Sequence, residues 1–486
     1  MVAPSAMSKF KGKDCQVQQL DLWVPTQEIV SGPRNTFYDR LNVVLRQMGF
    51  TQAVHAICTP FYHHGTVRGG RTPVDPAVLF KMLMVGFLEG IPSERGIADR
   101  CADSLSLRRF LGYGLTEATP EHSSFTVFRQ RLPLAAFQAV HHVVLEALRA
   151  HGLLRGRNLG VDSSIIEANA SLRGLVRRNC EQSYRDYVRE LAREAGVEAD
   201  DPAAVARFDR KRKGRTTSNQ DWFNPHDPDA KVGRTKQGAC DMVHKPQHIV
   251  DLESGAIVDA EVRPGDAGDT EELVEKILSA VETVERLQGA AACEGTSCVK
   301  TLTADKGYFD LSQLAILQHE LGVRTVISDP QTGRRRRDKL EPEELQALTR
   351  AKRAVGSRSG KDLLKRRGEM IERGFAHTLD CGALRRTMLR GLQNINKRYL
   401  CGIFAFNLGL ILRKNHGVGT PRQALAMAKA FLAWLRALQT GLRALRNTVM
   451  EIYMENQLVA HPIAPTETAN QNFLKQLNLH RCSTGC

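Results

Sequence analysis

One carboxylate inside an apolar run constrains the fold of this chain more than any other feature. Asp162 lies within residues 159–166, a short hydrophobic segment with the length and composition of a buried β-strand. Burying an unpaired carboxylate is costly, so such groups are usually paired, protonated or bound to a metal ion. The folded chain must therefore bring a partner to Asp162 from elsewhere in the sequence.

Two other acids stand at comparable positions. Asp305 ends the apolar run 302–304, and Glu372 lies on the basic helical segment 366–373. Each also has a purely structural interpretation, because Asp305 suits a turn and Glu372 suits an ion pair with a neighbouring arginine. Three carboxylates match the needs of two magnesium ions, which prefer oxygen ligands and act as a pair in phosphodiester chemistry.

A hydrophobic stripe on the basic helix decides between Glu369 and Glu372 as the third acid. The stripe consists of Leu364, Ile371, Phe375 and Leu379. At about 100° per residue, Glu372 lies roughly 60° from the centre of the stripe and Glu369 roughly 120°. We therefore expect Glu372 to point toward the edge of the sheet and Glu369 toward solvent.

The order of predicted elements indicates a mixed α/β domain. Helices fill residues 1–150, and strand patterns begin near residue 158. A long polar insertion, about 176–240, precedes two β-branched runs whose Ser254-Gly255 turn predicts a hairpin. Later elements are predicted as a helix at 270–287, a strand at 297–304, a helix at 309–321 and a strand at 323–328. This β–β–β–α–β–α–β order, followed by a helix, resembles the ribonuclease H-like fold, in which the fourth strand lies beside a central first strand.

The charge balance favours a polyanionic partner. The chain has 68 Lys and Arg against 53 Asp and Glu, a formal net charge of +15, and both nucleic acid and an anionic membrane surface fit. No membrane span is expected, because the longest apolar segment, 400–412, is shorter than the roughly 20 residues that a span needs and contains Asn407.

Two groups of basic residues are candidates for contacts to DNA. Helices within 1–150 carry Arg129 and Arg131 and suit DNA binding, although a plain helical packing domain explains them as well. Eight arginines in the second half of the chain suit phosphate contacts. They are Arg334, Arg335, Arg336, Arg337, Arg366, Arg367, Arg385 and Arg386. The first four are equally compatible with a solvated basic loop spanning 331–373.

The 11 cysteines are scattered along the chain and form no CxxC pair. This usage predicts free thiols in a reducing cytoplasm. Zinc is the alternative for the close pairs Cys293–Cys298 and Cys482–Cys486, but neither pair has a second one beside it, as a structural zinc site requires.

A long C-terminal helix is predicted from Pro421 to about Met454, with proline suited to its first turn. Two series of residues along it are spaced by seven: Ala428, Leu435, Leu442 and Val449, and Phe431, Leu438, Leu445 and Ile452. This is the spacing of a coiled-coil seam over four heptads. The helix therefore either docks on the protein's own core or contacts another protein chain.

Four blocks of sequence together resemble a bacterial insertion-sequence transposase of the DDE class. They are residues 71–88 with 120–132, residues 161–164, residues 303–308, and residues 369–377 continued by 384–386 and 389–391. The resemblance covers about 70–415. One departure lies around the third acid, where Lys365, Gly368 and Leu379 stand at positions that often hold Tyr, Arg and Lys in the family.

The resemblance implies a DNA transposase that hydrolyses a phosphodiester at each transposon end and transfers the freed strand into target DNA. Asp162, Asp305 and Glu372 are then the catalytic residues and the ligands of two Mg²⁺ ions, with Mn²⁺ able to substitute. The expected partners are double-stranded DNA, both transposon ends and target, and further copies of the chain. The expected location is the bacterial cytoplasm, at the nucleoid.

The implied organisation has a helical N-terminal domain at 1–150 that binds DNA and a ribonuclease H-like catalytic domain at 155–415. The insertion at about 176–240 lies within the catalytic domain. An amphipathic helix at 416–460 and a disordered tail at 461–486 complete the chain.

Three other functions remain open from the sequence. A structure-specific nuclease of the same fold would share the three acids and cut DNA but lack strand transfer. A non-catalytic DNA-binding protein derived from a transposase would neither cut DNA nor transfer strands. A histidine–aspartate metal hydrolase would use His226, Asp227, His244 and His248. Pro246 disfavours the helix that would place the last two histidines together.

Overall fold

The computed structural model describes residues 33–62, 73–213, 218–235, 237–289, 297–331 and 340–460. The chain divides into two compact units, Met1–Ala424 and Leu425–Cys486. The predicted disordered tail at 461–486 and the arginines at 334–337 lie outside the described residues.

The described residues up to 150 form α-helices, as the sequence predicts. These are α1 (Pro33–Gln47), α2 (Phe50–Cys58), α3 (Pro76–Glu89), α4 (Glu94–Asp103), α5 (Leu105–Leu111), α6 (His122–Arg131) and α7 (Leu134–Ala150). Helix α3 begins at Pro76 because the Asp75 side chain accepts a hydrogen bond from the Ala77 amide at 2.8 Å, and it ends at Gly90, which has a positive φ of 70°. Its apolar residues point in all directions and are buried, so α3 is a core helix.

A seven-stranded mixed sheet follows these helices. Its strands are β1 (Asn158–Ser163), β2 (Ile166–Glu167), β5 (Lys231–Arg234), β6 (Cys240–Asp251), β7 (Ile257–Pro264), β8 (Thr301–Ala304) and β9 (Arg324–Val326), and a separate pair consists of β3 (Val176–Arg177) and β4 (Trp222–Phe223). Strand β1 is central: it pairs antiparallel with β6 and parallel with β8, which in turn pairs parallel with β9. Strand β7 pairs antiparallel with β6. The predicted hairpin is therefore present, and the fourth predicted strand lies beside the first.

Helices flank this sheet. They are α10 (Leu273–Gln288), α11 (Leu311–His319), α12 (Pro342–Gly356), α13 (Arg358–Phe375) and α14 (Leu392–His416), and α13 continues into one π-helical turn, Ala376–Cys381. The basic segment 331–373, for which a solvated loop and a phosphate-contacting loop were both open, is mostly helical where the structure describes it, and the alanines and leucines of α12 bury one face against the core. The predicted strands at 297–304 and 323–328 are shorter in the structure, at Thr301–Ala304 and Arg324–Val326.

The polar insertion is folded. It contains α8 (Tyr184–Glu194) and α9 (Pro202–Lys211) as well as β3, β4 and β5. A small hydrophobic cluster holds it together, in which Trp222 packs beside Leu175 and Met242, and Tyr184 and Tyr187 contact the Trp222 ring edge-on. Met242 belongs to β6, so the insertion is anchored on the central hairpin.

Helix α14 joins the N-terminal helices to the sheet through buried polar contacts. Arg398 donates to the carbonyl oxygen of Leu83 within α3 and to that of Ile91 in the loop after α3. On its other side, Asn407 exchanges two hydrogen bonds with the backbone of Ile257 in β7, at 3.0 and 2.9 Å. Asn396 does the same with Val262, at 2.7 and 2.8 Å. The N-terminal helices and the sheet consequently share one hydrophobic core.

The described part of the second unit is helical. Helix α15 (Pro421–Ala460) runs into this unit and is longer than predicted. Among its heptad residues, Ala428 and Leu435 are partly buried, and the other large ones are 47–62% exposed. These exposed residues are Phe431, Leu438, Leu442, Leu445, Val449 and Ile452.

Two further predictions concern membranes and cysteines. Among the described residues, no single helix has both the length and the apolar character to cross a membrane, and only α3 and α4, bent by 97°, pass such a test as a pair. The prediction of free thiols is wrong for Cys298, which forms a disulfide bond. Six other described cysteines are free: Cys58, Cys101, Cys180, Cys240, Cys381 and Cys401.

Candidate active site

The first two acids lie side by side at the carboxyl ends of parallel strands. Val161 of β1 is in register with Ala304 of β8, and the next residue on each strand is an acid, Asp162 and Asp305. Asp305 is exposed and begins a 3₁₀ turn, Lys306–Tyr308. The carboxyl end of a parallel strand pair is where α/β sheets place ligands, so this edge is the candidate active site.

Asp162 is largely buried at this edge, with 23% of its side chain exposed. Its carboxylate accepts hydrogen bonds from the Ser163 amide at 2.8 Å and from the Arg367 guanidinium at 2.9 Å. Burial raises the pKa of Asp162, the Arg367 charge and the Ser163 amide lower it, and the charges of Asp305 and Asp269 raise it again. The pKa of Asp162 remains above its ordinary value, and burial of the carboxyl group is the main cause.

Helix α13 reaches Asp162 because Gly160 leaves room for it. A Cβ at Gly160 would lie 2.6 Å from Leu252, 3.1 Å from Ile371 and 3.2 Å from Arg367. Ile371 is fully buried, and Phe375 and Leu379 continue the same face of the helix into the core. The stripe that the sequence predicts is therefore the packing face of α13.

Glu372 and Glu369 are both exposed on α13. Exposure alone does not distinguish them, so the orientation of Glu372 toward the edge of the sheet and of Glu369 toward solvent stays a prediction. In the described part of the chain, no three His, Cys, Asp or Glu side chains lie close enough to hold one metal ion. The structure thus brings Asp162 and Asp305 together on neighbouring strand ends.

Asp269, which no sequence pattern singled out, lies near Asp162 at the same edge. Asp269 accepts a hydrogen bond from the Ser163 hydroxyl at 3.0 Å and forms an ion pair with Lys245 at 2.7 Å. Its Oδ2 would lie 2.8 Å from a Cβ at Gly307, so a side chain at that position would collide with it. Gly307, two residues after Asp305, was the one sequence signal that another side chain lies close to this turn.

A hydrogen-bond network joins the segments that follow the two acids. The Tyr308 hydroxyl accepts from Gln247 at 3.2 Å and also hydrogen-bonds with Ser163. Gln247 is directly opposite Ser163 in the antiparallel pair of β1 and β6. Ser163 therefore has contacts to both Asp269 and Tyr308, which fixes the end of β1 relative to the turn after β8.

The histidine–aspartate group has a structural role. The buried His244 contacts Asp227 at 3.3 Å, and the other Asp227 oxygen accepts from the Gly391 amide at 3.2 Å, just before α14. His248 hydrogen-bonds to the Tyr399 hydroxyl at 2.7 Å and stacks on Phe375 instead. His226 is exposed. These residues do not converge on one point, which argues against the metal-hydrolase alternative.

Comparison with protein families gives two matches. Residues 27–131 match the transposase domain DUF772, and residues 210–408 match the transposase DDE domain. The chain belongs to the DDE transposases. No curated protein and no solved structure matches it.

The assignment makes the protein a DNA transposase, a metal-dependent enzyme that cuts DNA, and nothing supports the nuclease or inactive-regulator alternatives. The DDE match includes Asp305 and Glu372 but begins after Asp162. For Asp162, the evidence is therefore its position beside Asp305 on the neighbouring strand.

The basic side chains of the transposase differ in how far they are engaged within the chain. Arg367 pairs with Asp162, and Arg385 pairs with Asp380 at 2.7 Å. Arg366 is exposed and donates to the Glu253 carbonyl at 3.0 Å. Arg386 is exposed, and its backbone forms an isolated parallel β-bridge with Glu167.

The acid edge has the chemistry that a divalent cation requires. DDE transposases generally use divalent metal ions, and hard divalent cations prefer oxygen ligands. Asp162 and Asp305 offer carboxylate oxygens on neighbouring strand ends, at an edge where Asp162 is partly exposed and Asp305 is exposed. The residues present fit a divalent ion on this observation.

Proposed function

We propose that the transposase cuts and joins DNA at the β1–β8 edge, with Asp162, Asp305 and Glu372 as the catalytic acids. The observation that carries this proposal is the register of Val161 with Ala304, which sets the first two acids at adjacent strand ends. We assign two Mg²⁺ ions to the three acids, with Mn²⁺ able to substitute. When bound, such ions stabilise charge on the attacking and leaving oxygens of an in-line displacement.

Glu372 is assigned as the third acid from its place in the family block and its position on α13. Glu372 is exposed five residues after Arg367, and we propose that α13 shifts toward the strand ends when metal and DNA bind. Arg367 would be displaced from Asp162 in the same movement, which would free the carboxylate oxygen that it now occupies. Arg367 would then be available for a DNA phosphate.

The reaction has two steps. In the first, a water oxygen bonds to the phosphorus at the transposon end and the bond from phosphorus to the 3′ oxygen breaks. The proton lost by the water ends on the 3′ oxygen, which leaves a free 3′-OH. In the second, this hydroxyl attacks a target phosphodiester, so one P–O bond forms as another breaks. The chain's part is to hold the DNA phosphates against Asp162 and Asp305 and to exclude competing water.

The fold of the catalytic region is proposed to be ribonuclease H-like. What supports this is the strand order β7-β6-β1-β8-β9, with the first three strands antiparallel and the last two parallel to β1. A helix that crosses the sheet and approaches the first acid, α13, agrees with the same fold.

DNA contacts and assembly complete the proposal. We assign the N-terminal region, which matches a transposase domain, to binding of double-stranded DNA at transposon ends, and the exposed Arg366 and Arg386 to phosphate contacts near the acids. Arg334 to Arg337 lie outside the described residues and are assigned to the same role from their charge. The active form is proposed to be a homo-oligomer on DNA, located at the nucleoid in the bacterial cytoplasm.

The test replaces each acid by its amide. Asp162→Asn, Asp305→Asn and Glu372→Gln should each reduce Mg²⁺-dependent cleavage of end DNA by more than about a hundredfold, since even outer partners of metal ligands are worth ten- to a hundredfold. Glu369→Gln is the matched control on α13 and should retain activity. Circular dichroism should show unchanged folding. Full cleavage by any one of the three variants removes that residue from the site.

Joining is measured separately from cutting. Precut end DNA with a free 3′-OH is incubated with a plasmid, and joined products are counted. The same three variants should lose joining, because both steps use one site. A variant that loses cutting but joins precut ends at the normal rate would contradict a single shared site.

A further inference from the structure

An exposed apolar stripe on α15, here called the α15 seam, runs along the helix from Phe431 to Ile452. Its members are Phe431, Leu435, Leu438, Leu442, Leu445, Val449 and Ile452. Apart from Leu435, each of these is at least 47% exposed. Soluble monomers rarely expose a continuous apolar surface of this length, so such a surface marks a binding site.

The spacing of the α15 seam identifies its partner as another helix with the same repeat. The residues alternate at intervals of four and three, which is the seven-residue pattern of a coiled coil, sustained here over about three heptads. At 1.5 Å per residue, residues 431–452 extend for roughly 33 Å. A second copy of this chain necessarily carries the same repeat in the same register.

The charges on α15 also favour pairing with a second copy. Lys429, Arg436 and Arg443 share one heptad position, roughly 130° from the centre of the α15 seam at about 100° per residue. The positions that flank the α15 seam hold Leu432, Trp434, Gln439, Gly441, Arg446, Thr448 and Tyr453, of which one is charged. Two copies can therefore meet without opposing rows of like charge. A DNA partner would need basic groups on this face and is disfavoured.

We propose that α15 is a self-association element and that two copies of the transposase pair through the α15 seam as a coiled coil. This gives a specific surface to the homo-oligomer named in the proposed function. It does not depend on the assignment of the catalytic acids, because the α15 seam contains none of them.

The test measures the mass of the full-length chain in solution, without DNA or Mg²⁺, by light scattering over a concentration series. Wild type should show at least twice the mass of one chain at micromolar concentration. Leu438→Ala with Leu445→Ala should weaken association at least tenfold, because two apolar side chains are removed from the α15 seam. Alanine favours the helix, so this variant retains α15.

Thr440→Ala with Asn447→Ala is the matched control on the opposite face of α15 and should associate like wild type. Circular dichroism should show the same helical content for all three proteins. A monomeric wild type, or association that is equally strong in the Leu438/Leu445 variant, would overturn the proposal. Cleavage of end DNA by the variant reports separately on the catalytic site, since the acids are unchanged.

Discussion

The Arg367 guanidinium donates a hydrogen bond to Asp162 Oδ2 at 2.9 Å, joining two residues that lie 205 positions apart. The pair is mostly removed from solvent, with side chains 13% and 23% exposed. Arg367 Nε has no hydrogen-bond partner among the described residues, although it is buried. The arginine is therefore held at the acid edge chiefly by Asp162, whose oxygen a metal ion also needs.

Competition between Arg367 and Mg²⁺ for Asp162 gives the first prediction. Arg367→Ala should lower the Mg²⁺ concentration for half-maximal thermal stabilisation by about fivefold, equivalent to about 1 kcal/mol for loss of a charge-assisted hydrogen bond that opposes binding. The measurement is a Mg²⁺ titration followed by thermal unfolding without DNA. Arg366→Ala is the neighbouring control and should behave as wild type. A higher Mg²⁺ requirement in Arg367→Ala would show that the arginine supports metal binding.

Gly160 is predicted to be essential for the packing of α13 on β1. In Gly160→Ala, the new methyl group would overlap Leu252 and press on Ile371, at a cost of about 1–3 kcal/mol in the free energy of unfolding. Cleavage should fall with it, because α13 would move away from Asp162. Gly368→Ala on α13 meets no atom within 4 Å and should instead stabilise the protein by up to about 1 kcal/mol. Urea denaturation measures the free energy of unfolding of both variants. Equal values for Gly160→Ala and Gly368→Ala would contradict the role of Gly160.

Asp269 is predicted to position the two strand-end acids. In Asp269→Asn the amide oxygen still accepts from Ser163, but the ion pair with Lys245 is lost. The Mg²⁺ concentration for half-maximal cleavage should rise by roughly tenfold, the usual effect of losing an outer partner of a metal ligand. Asp266→Asn, an exposed acid in the same loop, is the control. If only thermal stability changed while the Mg²⁺ requirement stayed constant, Asp269 would be purely structural.

Two fully buried histidines predict that the fold is sensitive to acid. Burial lowers the pKa of His141 and of His248 to about 3, against about 6.5 in an unfolded chain. Their contribution to stability is fully present above about pH 6.5. It is lost as the pH falls toward 3, because the unfolded chain takes up protons first, at about 1.4 kcal/mol per pH unit for each histidine.

The pH prediction is checked by urea denaturation between pH 7.5 and 5. His248→Gln should make the free energy of unfolding fall less steeply with decreasing pH, and His319→Gln, on an exposed position of α11, should leave the slope unchanged. A slope that is the same in wild type and His248→Gln would mean that His248 does not stay neutral in the folded protein.

The sequence predicted those parts of the site that depend on strand periodicity. An acid next to Val161 and an acid after Ala304 were recognisable because each interrupts or ends an apolar run. The Ser254-Gly255 turn predicted the hairpin that places β6 beside β1. Local pattern was sufficient here because strand pairing follows directly from the alternation of residues along the chain.

Contacts between distant segments were not predictable in the same way. Asp269 lies in a polar loop with several acids, and only the folded chain distinguishes it, by its contacts to Ser163 and Lys245. The partner of Asp162 proved to be Arg367, whose charge alone had suggested a DNA contact. The exposure of Glu372 depends on how α13 packs, and a helical projection cannot supply that rotation with the accuracy needed.

Helix α14 has a consequence for how copies of this protein avoid one another. The side-chain amides of Asn396 and Asn407 hydrogen-bond to the backbone N–H and C=O groups of Val262 and Ile257 in β7, which pairs with β6. An unprotected outer strand is a template for edge-to-edge aggregation. These two amides satisfy the backbone groups that such a template would offer, so Asn407→Leu, which leaves the Ile257 amide and carbonyl unpaired, should lower the concentration at which the protein aggregates.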